Sequence, residues 1–119
     1  QGKGTYYYIN GNKYEGSWNK DRKDGVGVYY YFLTNEKYEG GWKLGEKHGY
    51  GVFTFSFGDR YEGNWLHSQK SGQGVIIYQS GGRLECYWEN VSGYLMERIK
   101  QKERERCITL TGTFTKEVF

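Results

Sequence analysis

Proline is missing altogether from these 119 residues, methionine occurs once, and cysteine and histidine occur twice each. No apolar run approaches the ~20 residues of a membrane-spanning helix. Without proline, and without glycine at every third position, the chain is not collagen-like. Disorder is argued against from the other side: disordered chains are poor in aromatic residues, and this one is 19% aromatic. Two cysteines, Cys86 and Cys107, do not make the disulfide framework of a small extracellular domain, so reduced thiols of an intracellular protein are expected. Around His48 and His67 no cysteine or second histidine stands at metal-ligand spacing, so no metal site is expected and both read as solvated loop residues. A net charge of +3 is a weak case for nucleic acid, which demands a dense basic patch.

What the chain has in abundance is glycine (19 residues) and tyrosine (13), and both recur in phase. Tryptophans stand at 18, 42, 65 and 88, at spacings of 24, 23 and 23. Gly-x-Gly pairs begin at Gly2, Gly25, Gly49 and Gly72, and Tyr-Glu-Gly begins at Tyr14, Tyr38 and Tyr61, with Leu-Glu-Cys at Leu84 as a fourth version. Markers that hold one phase over four units make this an array of repeats. The chain opens inside a unit, with "QGKGTYYY", and is expected to be a piece of something longer.

Each unit divides into two strands, because side chains in a strand alternate between faces. "KYEGGW" places Tyr38, Gly40 and Trp42 on one face, and "GYGVFTF" places Gly49, Gly51, Phe53 and Phe55 on one face. The connections "INGN", "SFGD" and "QSGG" hold the residues that tight turns with positive φ need. "NKDRKD", "KLGEKH" and "LHSQKS" read as longer, solvated loops. Glycine is a poor strand former, so its regular use needs a compensating gain. A ring projecting from one strand can lie flat over a neighbouring backbone that has no Cβ. The expected fold is all-β: a single antiparallel sheet of stacked hairpins, stabilised by rings over glycines, each ring burying roughly 150–250 Å².

The unit Tyr-Glu-Gly-x-Trp followed by Gly-x-Gly-x-aromatic-x-aromatic resembles the MORN repeat (membrane occupation and recognition nexus) over residues 1–92, with the first unit partial and the fourth degenerate. The resemblance implies an elongated, twisted and grooved sheet and no enzymatic activity or cofactor in the repeats. Proteins of that family include cytoskeletal and ciliary scaffolds, junctional proteins that bridge membranes, and targeting segments of lipid kinases or methyltransferases. Some bind anionic lipids, and some dimerise through their last repeats. A cytoplasmic, cytoskeleton-associated location, ciliary or cortical, rests on this resemblance alone. Residues 93–119 depart from the pattern and read as a C-terminal capping segment, with a charged connector over 97–106 and a closing strand over 107–115. The conformation of 93–106 stays open, since a helix there would have only Leu95, Met96 and Ile99 as apolar positions.

Catalysis is the least expected function: the serines have no visible base, and each Gly-x-Gly opens a strand instead of the helix that a phosphate-binding turn requires. Glu15, Glu39 and Glu62 recur on the face opposite the rings and are expected to find cross-strand charge partners. That face also carries Val26, Val28, Tyr30, Phe32, Tyr50 and Val52. The ring face is the expected site: Tyr14, Trp18, Tyr29, Tyr31, Tyr38, Trp42, Phe53, Phe55, Tyr61 and Trp65 would line a groove for an extended or helical peptide of a protein partner. The alternative is a membrane-targeting module, in which Lys20, Arg22, Lys23, Lys43, Lys47 and Lys70 gather at the tips of the longer loops, off the ring face, to meet anionic lipid at about 1 kcal/mol each.

Overall fold

The computed structural model describes the backbone of residues 2–90, 105–109 and 114–118, and the side chains of residues 2–88. Period-2 alternation broken by turn residues dictates short strands, and ten are found among the described residues: β1 (Gly2–Tyr7), β2 (Lys13–Asn19), β3 (Arg22–Tyr31), β4 (Glu36–Lys43), β5 (Glu46–Thr54), β6 (Arg60–Leu66), β7 (Gln69–Ile77), β8 (Arg83–Asn90), β9 (Glu105–Thr109) and β10 (Phe114–Val118). They form one antiparallel sheet in chain order, each strand paired with its neighbours in sequence. No helix occurs among the described residues. The fold is the all-β hairpin array that the alternation predicts.

Along one edge the connections are tighter than the sequence suggests. "NKDRKD", "KLGEKH" and "LHSQKS" are not loops: strands run into them from both sides and leave two-residue turns at Lys20–Asp21, Leu44–Gly45 and His67–Ser68. All six turn residues have positive φ, from 52° to 84°, the geometry whose twist matches that of the flanking strands. His48 therefore lies within β5 and His67 in a turn, so the two histidines are not equivalent loop residues. Successive turns are stitched together, with Gly45 N donating to Lys23 O (2.9 Å) and Ser68 N to Lys47 O (3.1 Å). On the other edge the turns fall where the Gly and Asn signals place them, with positive φ at Gly11, Gly58 and Gly81. There a polar side chain of each hairpin accepts from the next turn: Asn12 Oδ1 from Phe32 N (2.9 Å), Glu36 Oε2 from Ser56 N (3.3 Å) and Asp59 Oδ1 from Gln79 N (2.9 Å).

Two further expectations change. The C-terminal segment holds two described strands, β9 and β10, in place of one strand over 107–115, while residues 97–104 of the charged connector lie outside the described residues. Cys86 is disulfide-bonded, which replaces the expectation of a reduced thiol.

The core is one residue deep. Glycines face each other across each hairpin, as Gly16↔Gly27, Gly40↔Gly51 and Gly63↔Gly74. Tyr14 roofs Gly27, Tyr38 roofs Gly51 and Tyr61 roofs Gly74, each ring so close that a Cβ on the glycine would overlap its hydroxyl and edge. All three tyrosines are fully buried although no second sheet or helix covers them among the described residues. Replacing Gly51 by alanine forces the Tyr38 ring off the sheet. The expected loss is about 2–3 kcal/mol by denaturant titration, and a wild-type midpoint in Gly51→Ala would contradict the packing.

Candidate functional site

The ring face carries two rows of different depth. The deep row alternates tyrosine and tryptophan. Tyr14, Tyr38 and Tyr61 each meet the tryptophan of their own strand edge to face, at 4.9, 5.1 and 5.4 Å between centroids. Each also meets the tryptophan of the next unit: Tyr14–Trp42 at 5.5 Å, Tyr38–Trp65 at 5.2 Å and Tyr61–Trp88 at 5.7 Å. Such edge-to-face pairs contribute about 0.5–1.5 kcal/mol beyond area burial. The polar atoms are satisfied locally: Tyr38 Oη donates to Gly41 O (2.9 Å), and the indole N–H groups of Trp42 and Trp65 donate to Gly27 O and Gly51 O (3.2 Å each). The buried indole N–H of Trp88, in the degenerate fourth unit, finds no acceptor among the described residues.

The shallow row runs beside it. Tyr8–Tyr29 (5.5 Å), Tyr29–Tyr31 (4.8 Å), Tyr31–Phe53 (5.7 Å) and Phe53–Phe55 (5.0 Å) form a continuous zigzag of half-buried rings. The ten ring-face residues therefore separate. Tyr14, Tyr38, Tyr61, Trp42 and Trp65 are core, with exposures of 0, 0, 0, 5 and 6%. Trp18, Tyr29, Tyr31, Phe53 and Phe55 remain accessible, and Tyr8 and Tyr78, which the sequence reading passed over, extend the same surface.

The six basic residues separate as well. Lys20 occupies a turn, with Arg22 and Lys43 on the strands beside the turns, and all three are exposed. Lys23, Lys47 and Lys70 are not at loop tips and not off the ring face: they lie in β3, β5 and β7, paired across the sheet with Trp18, Trp42 and Trp65. Each ammonium sits among aromatic rings. Lys23 Nζ is 5.2 Å from the Trp42 ring and 5.5 Å from Tyr29; Lys47 Nζ is 5.4 Å from Tyr38 and 5.7 Å from Trp65; Lys70 Nζ is 5.2 Å from Trp88 and 5.7 Å from Trp65. Lys70 is only 4% exposed. The negative faces of the rings attract the cation, and the lysine stems cover the indoles from above. A signal for this was present: lysine stands five residues after each of the first three tryptophans.

On the opposite face the repeated glutamates pair along their own strand, two residues back, and not with a charge across the sheet. Glu15 meets Lys13 (3.4 Å), Glu39 meets Lys37 (3.9 Å) and Glu62 meets Arg60 (2.7 Å). Their neighbours across the sheet include Val28, Val52 and Val75, which leaves the same-strand cation as the charge in reach. These partly exposed pairs contribute about 0–1 kcal/mol each. Val26, Phe32 and Tyr50 stand well exposed, at 68, 67 and 60%. His67 Nδ1 lies 2.9 Å from Glu46 Oε1 in the turn edge. No group of three His, Cys, Asp or Glu side chains that could hold a metal occurs among the described residues.

Burial, the first cause, pushes the phenol of Tyr14 up to about 12, with the charges of Tyr8 and Asp24 adding to the rise. Tyr31 is likewise pushed up to about 12 by burial and then by Tyr29 and Glu36, and Tyr38 is raised by burial. Burial lowers Lys23 below its ordinary value.

The profile of the MORN repeat family matches residues 1–13, 14–32, 38–60 and 61–83, well over half of the chain. No curated protein matches it in a sequence search.

Two outcomes are expected. Lys70→Ala removes both the caged charge and the stem over Trp65 and Trp88, and should cost about 2 kcal/mol by denaturant titration, whereas exposed Lys43→Ala should change stability by less than about 0.5 kcal/mol. Equal effects would mean the cages are incidental. The raised phenols give a second check. Between the ordinary tyrosine value of 10 and about 12, the folded chain holds protons that the unfolded chain has lost, so stability falls as pH rises through that window. Lys23 acts in the opposite sense, as one group against four, since burial raises the Tyr8 phenol as well. A denaturation midpoint that stays flat from pH 10 to 12 would contradict the buried phenols.

Proposed function

The chain belongs to the MORN-repeat family, and from that premise we propose that it is a non-enzymatic protein-interaction scaffold that takes an extended or helical peptide along its shallow aromatic row. Repeats of this family are binding modules for proteins or membranes. The observation that carries the choice of protein is the row Tyr29, Tyr31, Phe53 and Phe55: half-buried rings, in mutual contact, on a face that no second layer covers among the described residues. Rings held by their neighbours present apolar area with little side-chain entropy left to lose, which favours binding. From Tyr8 to Tyr78 the surface crosses six strand spacings, roughly 29 Å, the reach of about nine extended residues.

A cytoskeletal assembly, ciliary or cortical and in the cytoplasm, is the proposed setting, with a homodimer through the C-terminal end, where β10 is the outermost strand. Disulfides are rare in the reducing cytosol, so this setting requires the bond at Cys86 to be open in the cell. The second reading, an anionic-membrane module, keeps Lys20, Arg22 and Lys43 of its six cations, with Asp21 beside them, because the other three are caged.

Random displayed peptides selected on the folded chain, with the Tyr31→Glu/Phe55→Glu variant as counter-target, test the proposal. Peptides rich in apolar residues should be enriched, and at least a tenfold part of their affinity should vanish on the variant once its folding is verified. Vesicles of anionic lipid should be released at ~0.15 M salt. Vesicle binding that survives this salt and is lost in Lys20→Glu/Arg22→Glu/Lys43→Glu, with no peptide dependent on Tyr31 or Phe55, would replace the scaffold by the membrane module.

A further inference from the structure

The shallow row repeats with a fixed step. Tyr31 closes β3, Phe55 follows β5 and Tyr78 follows β7, so equivalent rings stand two strand spacings apart, about 9.6 Å. A ligand that lays one side chain against each ring must return to the same side after that distance. An extended β-strand presents one face about every 6.6 Å, and two such steps overshoot to about 13 Å. An α-helix returns after seven residues and about 10.5 Å, which leaves it about 1.8 Å out of step by the third ring. A polyproline II segment has three residues per turn and a rise of about 3.1 Å, so its face returns at about 9.3 Å and is only about 0.6 Å out at that ring. Of the three regular backbones, this one keeps the step of the row.

The two flanks of the row differ in charge. Beside the deep row stand ammonium groups: Lys23 Nζ is 5.5 Å from the Tyr29 ring, Lys47 Nζ is 5.6 Å from Tyr31 and 5.8 Å from Phe53, and Lys70 Nζ is 5.9 Å from Phe55. They come from β3, β5 and β7, one per repeat, at the same two-strand step as the rings. On the turn side stand the carboxylates of Glu36 and Asp59, which accept from the backbone N–H groups of Ser56 and Gln79. A segment lying on the rings therefore meets positive potential along one flank and negative potential along the other.

We propose that the occupant of the row is a polyproline II segment of a protein partner, with proline at every third residue on the rings and a carboxylate at every third residue toward the lysine line. The inference rests on the reading of the row as a peptide site, and it names the peptide. Proline rings pack against aromatic faces, and such a segment is already extended when free, so little backbone entropy is lost on docking. Its carbonyls have no partners within the segment, and Tyr31 and Tyr78 carry hydroxyls that can donate to them. The third face of the segment looks toward Glu36 and Asp59, where a second acid in each turn would be repelled. One carboxylate per turn is thus the complement of the two flanks.

The probe is a dodecapeptide of four Pro-Pro-Glu triplets, titrated into the folded chain. Beside it run four Pro-Pro-Lys triplets, with the same backbone and the opposite charge, and a helix-forming dodecapeptide of leucine and glutamate. Saturable binding of the first is expected, at least tenfold tighter than that of the other two. It should weaken at least tenfold in Tyr31→Ala/Phe55→Ala, with folding verified by denaturation; the comparison of peptides on the unaltered chain stands whether or not that variant folds. Binding of the helical or the lysine peptide as tight as that of the first overturns the proposal and leaves the row a peptide site of another kind. Failure of the Pro-Pro-Glu peptide on a chain whose display-selected peptides do bind through Tyr31 and Phe55 overturns it in the same way. Binding that the folded variant retains in full overturns it by placing the peptide elsewhere. Where neither the probe nor any selected peptide binds, the proposal and the scaffold reading fall together.

Discussion

A ring can lie across two strands of a sheet only where neither strand carries a Cβ beneath it. This steric condition is met at Gly16/Gly27, Gly40/Gly51 and Gly63/Gly74, and most of the molecule follows from it. A sheet of one layer ordinarily leaves each side chain wet on one side. Here the glycine pairs remove a layer of side chains and the tyrosines sink into the space, where the flanking tryptophans and the side chains of Lys23, Lys47 and Lys70 complete their burial. The tryptophans then have fixed edges to pack against within the unit and from the unit before. Hairpins that would be marginal alone become stable through their neighbours. The aromatic-caged lysines belong to the same logic: an indole with one face on tyrosine still needs cover on the other, and a long apolar stem ending in a cation supplies it without a second sheet.

The strand edges show what the arrangement costs. Five residues other than glycine hold positive φ in the two-residue turns, Lys20, Asp21, Leu44, His67 and Ser68, although side chains with a Cβ resist that region. The twist of the strands and the hydrogen bonds from one turn to the next hold them there. On the other edge Asn12, Glu36 and Asp59 reach across to the next hairpin, so both edges tie each unit to its successor. The chain is therefore a stack joined at three places per unit: the two edges and the Tyr–Trp row between them.

Much of this was legible in the residues. A phase shared by tryptophan, Gly-x-Gly and Tyr-Glu-Gly leaves one architecture, and the sheet, its face and its glycine–ring contacts follow from alternation. Depth was not legible. Tyr14 and Tyr29 alternate on the same beat, yet one is sealed and the other half-exposed, because the difference lies in which ring meets the glycine pair. The lysines were misplaced for two physical reasons. Lysine is solvated by default, and turns such as Lys20–Asp21 lack the Asn-Gly signal, so strand residues were counted as loop. The glutamates were expected to find charge partners across the sheet because that is the usual neighbour, whereas valines occupy the directly opposite positions at 28, 52 and 75, and Glu15 accepts across the sheet from the neutral Tyr30 hydroxyl (3.4 Å). The redox state of Cys86 depends on what stands beside it in space, which spacing along the chain does not convey.

The contact on which everything else rests has a direct spectroscopic consequence. A tyrosine ring lying over a glycine displaces the α-proton resonances of that glycine upfield through its ring current. The account predicts strongly displaced α-protons for Gly27, Gly51 and Gly74, and ordinary values for Gly45, around which a Cβ would meet nothing within 4 Å. Ordinary shifts at all four glycines, in a chain that is otherwise folded, would show that the tyrosines do not lie on the glycine pairs and that the single layer is held together in some other way.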